Sequence, residues 1–132
     1  MIVVDTNVLV RLLVIDDPRQ CALVRSLFER ETVRVLRTVL LESEWVLRAR
    51  LQVERERIHA FFLGLADTFN IEVEDEAIVR DALAMYDAGL DFADAMHAAA
   101  AGTEPIATFD ERFVKRARKL KRSVRLLGSR AS

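Results

Sequence analysis

Four acidic residues stand at points where the sequence changes from an apolar run to a polar one, and carboxylates so placed can bind metal ions. Asp5 ends the opening apolar run and Asp110 ends a later one, while Asp94 lies early in an alanine-rich segment and Glu42 in an apolar stretch. If both runs are parallel strands, their carboxyl ends lie on one edge of a sheet, where ligands collect. We therefore expect Asp5, Glu42, Asp94 and Asp110 to share one site.

The chemistry expected of such a site follows from its electrostatics. Carboxylates ~4–5 Å apart repel by roughly 3–4 kcal/mol per pair at an effective dielectric constant near 20, so a cluster needs protons or cations. The ligands are oxygens only, and Cys21 is the single cysteine, which favours Mg²⁺ or Mn²⁺. These ions support phosphodiester and phosphoryl chemistry.

Each acid also has a simpler interpretation. Asp5 and Asp110 could cap the helices that follow them, Asp94 could complement a helix dipole, and Glu42 could be a surface acid. Glu44 is a rival to Glu42 for the fourth position. Because Arg48 follows Glu44 at helical spacing, we expect Glu44 to form a surface ion pair and favour Glu42, although spacing alone leaves both open.

Five neighbouring residues are weighed in the same way. Thr6, Asn7 and Thr108 could orient the acids or a bound water, but capping is as good an explanation for Thr6 and Asn7. His97 lies one turn after Asp94 and could approach a substrate, yet a lone histidine on an alanine-rich helix is more often structural. We expect Trp45 to lie in the core.

The elements that must position these residues alternate between strands and helices. Apolar spacing predicts strands at residues 2–4, 33–36, 71–73, 105–109 and 124–127, and helices at 6–14, 18–31, 38–50, 54–69, 75–87, 91–102 and 111–120. Cys21 is expected to be a surface or semi-buried helix residue. The alternation predicts an α/β fold, a three-layer sandwich around a mainly parallel central sheet.

The composition is that of a globular protein. The chain has 132 residues, 52% of them hydrophobic and 31% charged. This predicts a single domain over residues 1–132, with 128–132 as a frayed tail. No apolar run reaches the ~18–20 residues that a membrane span requires, and no leader pattern opens the chain, so we expect a cytoplasmic protein without membrane contact.

A basic segment follows Asp110. Residues 115–125 carry seven Lys and Arg side chains and no acid. Such a run is as often a solvated helix face as a nucleic-acid contact, because a basic stripe is also the electrostatic footprint of phosphate binding. Lys115, Arg116 and Lys119 are the candidate nucleic-acid contacts.

Other hydrolase and phosphotransfer folds fail at named positions. A haloacid-dehalogenase phosphatase needs a second aspartate two residues after the first, where this chain has Asn7. A receiver domain needs a lysine at the end of a late strand, whereas the strand here ends at Asp110 and the next lysine is Lys115. The chain also has no P-loop, no Gly-rich dinucleotide motif and no Ser-His-Asp set.

Four segments together resemble the PIN domain, and most closely its VapC-type toxins. They are Asp5-Thr6-Asn7, the helix segment 40–47 with Glu42, the segment Asp91-Phe92-Ala93-Asp94-Ala95, and 108–113 with Thr108 and Asp110. Each motif alone is weak, but all four occur in the order of the family from Met1 to about Leu127. The resemblance places the family's acids on Asp5, Glu42, Asp94 and Asp110 and its small polar residue on Thr108; Asp91 is less certain.

The resemblance implies an activity and partners that the residues alone do not. It implies a Mg²⁺- or Mn²⁺-dependent endoribonuclease that hydrolyses RNA through a metal-activated water. It further implies the toxin of a type II toxin–antitoxin pair, usually a homodimer, inhibited by a VapB-type antitoxin and reaching DNA only through it. The alternatives are a non-catalytic binding or regulatory module and a PIN nuclease in RNA processing without an antitoxin.

Overall fold

The computed structural model describes residues 1–128; all but the first residue of the predicted tail at 128–132 therefore lies outside the described residues. The strands described are β1 (Ile2–Val3), β2 (Val33–Val35), β3 (Ile71–Val73), β4 (Ile106–Thr108) and β5 (Val124–Leu126). The α-helices described are α1 (Thr6–Leu9), α2 (Pro18–Arg30), α3 (Arg37–Trp45), α4 (Arg55–Ala66), α5 (Glu76–Asp87), α6 (Phe92–Ala101) and α7 (Glu111–Lys119).

The strands pair in parallel, which confirms the expected α/β class. β1 pairs with β2 and β2 with β3, in the register Ile2 to Val33 to Ile71. β4 and β5 form a second parallel ladder, with Thr108 opposite Leu126. The strands are short because each gives way quickly to a helix, and parallel strands need such crossover helices.

Two of the helices start at the capping residues that the sequence indicates. The Asp17 side chain accepts a hydrogen bond from the Gln20 backbone N–H at 3.1 Å, and Pro18 occupies the first turn of α2. Asp91 caps α6, and Gly102 ends that helix with a φ of 63°. No helix among residues 1–128 is long and apolar enough to cross a membrane.

The prediction of one continuous α-helix over residues 38–50 is wrong in its last part. The α-helix α3 ends at Trp45, and a π-helical turn follows from Val46 to Arg50. Similarly, the predicted helix 6–14 is one turn of α-helix followed by a 3₁₀ turn over Val10–Leu12.

The core lies between the β1–β2–β3 sheet and the helices that cover it. Val33 and Val35 of β2 are fully buried. Aromatic rings join the helices on one side: the Phe62 and Phe92 centroids are 5.5 Å apart, and Tyr86 meets Phe92 edge-on at 5.2 Å. This packing fixes α5 and α6, which carry part of the candidate site.

Two burial predictions are wrong. Trp45 is 51% exposed, because α3 turns Leu40, Ser43 and Glu44 inward and leaves Trp45 on the outward face. Cys21 is 2% exposed rather than semi-buried, since the inner face of α2 points it at the chain before that helix, with its sulfur 3.8 Å from the Val14 carbonyl oxygen.

Glu44 does pair with Arg48, but the expectation of a surface pair is wrong. The Glu44 carboxylate is buried and accepts a hydrogen bond from Arg48 Nε at 2.8 Å. It accepts a second from the Tyr86 hydroxyl at 2.9 Å. Glu44 therefore joins α3 to α5 in the interior and faces away from the solvent.

Candidate active site

The first part of the candidate site lies where β1 passes into α1. Asp5 caps this helix, its Oδ1 accepting the Val8 backbone N–H at 3.1 Å. The next side chain, Thr6, is buried and donates its hydroxyl to Glu42 Oε1. This hydrogen bond ties α3 to α1 and brings Glu42, which is exposed, beside the end of β1.

Asn7 lies at the same edge of the sheet, and its backbone carbonyl is hydrogen-bonded to a basic side chain. Its carbonyl accepts a hydrogen bond from Arg11 at 2.6 Å. Asp5, Asn7 and Arg11 line an open pocket of about 370 Å³ between α1 and α2.

The second part of the site lies at the starts of α6 and α7. Asp91 Oδ2 accepts the backbone N–H of Asp94 at 3.3 Å, which places the Asp94 side chain on the first turn of α6. Asp110 Oδ1 caps α7 by accepting the Phe113 N–H at 3.0 Å. Thr108 supports it, because the Asp110 backbone N–H donates to the Thr108 hydroxyl at 3.0 Å.

These helix starts enclose one pocket of about 360 Å³ that combines acids and bases. Its lining consists of Leu90, Asp91, Asp94, Asp110, Arg112, Phe113 and Arg116. The α5–α6 turn that forms one wall is held by Arg55, whose guanidinium donates to the carbonyls of Tyr86 and Leu90 at 2.8 Å each. A polar pocket with both signs of charge can bind a cation and an anionic substrate together.

The surroundings of Asp94 disfavour its charged form. Its pKa is raised above the ordinary aspartate value, first by partial burial and then by the negative charges of Asp91 and Asp110. The nearby His97 opposes the rise. His97 itself is exposed on α6 and takes no part in the lining of the pocket.

The structure thus brings the predicted acids together in two groups. Thr6 joins Glu42 to the Asp5 turn, and Asp94 shares a pocket with Asp110. α3 contacts both α1 and α6 and lies between the groups. Within residues 1–128, no three Asp, Glu, His or Cys side chains approach closely enough to form a ready-made metal cage.

The donor set nevertheless fits a hard divalent cation. Asp5 and Asp110 each use one carboxylate oxygen for capping, and the caps do not engage the other oxygen. Mg²⁺ keeps several waters and takes only one or two protein carboxylates, so three converging acids are not required. A cation beside Asp94 would also offset the repulsion that raises its pKa.

Sequence reasoning gave too little weight to two residues. Asp91 lines the acidic pocket as well as capping α6, and the polar start of that helix was its signal. Arg112 was not singled out, although it stands only two residues after Asp110. Glu44, the rival of Glu42, lies in the buried pair with Arg48 and outside either group.

The three basic residues expected to contact RNA divide between two faces of α7. Arg116 lines the acidic pocket, where it also lies 3.4 Å from the Gly89 carbonyl oxygen. Lys115 and Lys119 are exposed on another face, with Arg118 beside them. The helix therefore offers two cations to the pocket, Arg112 and Arg116, and a separate basic surface to the solvent.

Parallel strands joined by helices, with acids after the carboxyl ends of β1 and β4, define an α/β protein with a candidate ligand site at that edge. The family model of the PIN domain matches residues 2–119, and the chain belongs to the PIN domain family. PIN domains are generally nucleases and typically use divalent metal ions. Comparison with curated proteins and with solved structures returned no match.

Proposed function

We propose that this PIN domain is a Mg²⁺- or Mn²⁺-dependent endoribonuclease. The observation that carries the proposal is the pocket in which the charges of Asp91 and Asp110 act on Asp94, and which Arg112 and Arg116 also line. An excess of crowded negative charge suits a cation, and arginines beside it suit the phosphate of a nucleic acid. Membership of a nuclease family supports the same conclusion.

The residues have distinct tasks in this proposal. Asp94 and Asp110 would hold the cation, and Asp5 and Glu42 would complete the site directly or through water. When bound, the ion lowers the pKa of a water and offsets charge at the phosphodiester. Thr6 keeps Glu42 oriented, Thr108 keeps the Asp110 backbone in place, and Arg112 and Arg116 bind phosphate oxygens.

We further propose that the nuclease is the toxin of a type II toxin–antitoxin pair. The order and identity of the four motifs support this, because they match the VapC-type pattern from Asp5 to Asp110. The proposal includes a VapB-type antitoxin as partner, a homodimer, and contact with DNA only through the antitoxin. A PIN nuclease that processes RNA without an antitoxin is the alternative, and growth arrest on expression, relieved by a neighbouring small gene, separates the two.

The non-catalytic alternative rests on a specific observation. Asp5, Asp91 and Asp110 all accept helix-capping hydrogen bonds, so capping accounts for one oxygen of each. Capping does not explain why Asp94, whose side chain accepts no capping hydrogen bond within residues 1–128, lies half-buried in the pocket that Asp91 and Asp110 also line. Asp94 is therefore the residue that separates a catalytic site from a set of helix caps.

Cleavage of RNA is the direct test. Purified protein with Mg²⁺ or Mn²⁺ should cleave a mixed single-stranded RNA, and EDTA should abolish the cleavage. Asp5→Asn, purified in the same way, should lose activity because a charged donor is replaced by a neutral amide. Equal cleavage by the wild type and Asp5→Asn would indicate a contaminating nuclease and contradict the proposal.

Cation binding can be measured without any substrate. Adding Mn²⁺ should raise the Tm of the wild-type protein, because a ligand that binds only the folded state stabilises it. Glu42→Gln should reduce this shift if Glu42 contributes charge to the site. The matched control is Glu29→Gln, an exposed acid on α2 outside both groups, which should keep the full shift. Equal shifts in all three proteins would remove Glu42 from the site.

A further inference from the structure

An exposed aromatic residue stands between two residues of the candidate site. Phe109 follows Thr108 and precedes Asp110, and its side chain is 78% exposed. Along β4 exposure alternates, with Thr108 partly buried and both Ala107 and Phe109 exposed. A phenyl ring is thus presented to solvent one residue from a candidate catalytic acid.

The backbone that carries this ring is held on both sides. The Leu127 backbone N–H donates to the Thr108 carbonyl at 2.8 Å and extends the pairing of β4 with β5. The Asp110 N–H donates to the Thr108 hydroxyl, and the Asp110 carboxylate accepts from Phe113. Because these hydrogen bonds already restrain the backbone at Phe109, binding of a ligand to the ring costs little further conformational entropy.

The charge around Phe109 indicates which ligand fits. α7 begins two residues later, and its exposed side chains include Arg112, Lys115, Arg116 and Lys119. An exposed aromatic face together with nearby cations is the combination that binds single-stranded nucleic acid, with bases stacked on the ring and phosphates on the cations. Bases within a duplex are already stacked on one another. Proteins that stack aromatic side chains on RNA bases therefore bind unpaired segments.

We infer that Phe109 is a stacking platform for an unpaired RNA base next to the phosphodiester that is cleaved, and that it restricts cleavage to single-stranded RNA. The inference rests on the proposed nuclease function and adds a residue that selects the substrate. Phe109 acts on binding, so its loss should raise KM and leave kcat nearly unchanged.

A kinetic experiment tests this role with a matched control. Phe109→Ala should raise KM for a single-stranded RNA by about thirtyfold, the middle of the range for one lost base–aromatic stack, and Phe109→Tyr should restore it. The control is Phe69→Ala. Phe69 is exposed as well, but it precedes β3 and so lies at the opposite end of the parallel strands from Asp5. An unchanged KM in Phe109→Ala, with wild-type cleavage intact, would overturn the inference and leave the nuclease function standing.

A fluorescence experiment tests the same contact without catalysis. Trp45 is the single tryptophan and is exposed, so Trp45→Phe supplies a background in which a tryptophan can be introduced by Phe109→Trp. In EDTA, single-stranded RNA should quench that tryptophan, and duplex RNA of the same sequence should not. Phe69→Trp in the same background is the control. Absence of quenching, or equal quenching by the duplex or at position 69, overturns the inference. If the wild type does not cleave RNA, the nuclease proposal fails and the quenching result alone decides on stacking.

Discussion

Asp94→Asn should reduce RNA cleavage at least about a thousandfold, as the loss of a central member of a catalytic group does. Asparagine keeps the size of aspartate but supplies neither the charge that holds a cation nor a second carboxylate oxygen. Asp94 is partly buried in the pocket, whereas Asp91 and Asp110, which line the same pocket, are exposed. Single-turnover cleavage of a labelled RNA at saturating Mn²⁺ measures the effect.

The same substitution should stabilise the protein when divalent cations are absent. The pKa of Asp94 is raised by burial and by its acidic neighbours, so the fold favours the neutral carboxyl. That favourable contribution is present at pH values below the ordinary aspartate pKa and is lost as the pH rises through the raised one. At neutral pH the charged Asp94 therefore opposes folding, and neutral asparagine does not.

Thermal unfolding in EDTA at several pH values checks this second effect. Asp94→Asn should have a higher Tm than the wild type at pH 7, with the difference shrinking as the pH is lowered through the titration of Asp94. Added Mn²⁺ should stabilise the wild type and not the variant. If Asp94→Asn were both active and less stable in EDTA, Asp94 would be a structural residue and the proposed site would be wrong.

The largest effect on stability is expected from Arg48→Ala. Arg48 donates to the buried Glu44 carboxylate at 2.8 Å, and its removal leaves that carboxylate with the Tyr86 hydroxyl as its remaining partner. Breaking a buried ion pair by removing one partner is strongly destabilising. Because the Arg48 side chain is 39% exposed, solvent screens part of the interaction, and a loss of about 2–4 kcal/mol is expected.

Urea unfolding measures that loss, and two further variants interpret it. Arg50→Ala, on an exposed residue of the same π-helical turn, should change the free energy of unfolding by less than about 0.5 kcal/mol. Glu44→Gln combined with Arg48→Ala should recover part of the loss, because the double variant no longer buries a charge. A loss for Arg48→Ala no larger than that for Arg50→Ala would mean that the pair contributes nothing to stability.

The sequence by itself was sufficient for the fold class and for the candidate acids. Apolar runs of β-branched residues, each followed by a capping side chain and a helical pattern, predict parallel strands joined by helices. Asp5 and Asp110 were found because each ends such a run, and both do begin helices. These signals are local, because each depends on residues close together in the chain, and they can therefore be recognised in a single sequence.

Tertiary structure decided the pairings between distant segments. Glu42 and Glu44 are two residues apart, and spacing alone could not choose between them. The fold chose because α3 packs on α1 with one face and on α5 with another, so Glu42 meets Thr6 while Glu44 meets Tyr86. Trp45 was misplaced for the same reason, since which face of an apolar helix turns inward depends on its neighbours.

The opening acid illustrates the division between sequence and structure. That Asp5 ends a strand and starts a helix follows from Ile2–Val3 and the polar residues after them. That Asp94 shares a pocket with Asp91, Asp110, Arg112 and Arg116 depends on how the starts of α6 and α7 meet in space. The electrostatic energy of a carboxylate depends on its distances to the other charges. For segments far apart in the chain, those distances are set only when the chain folds.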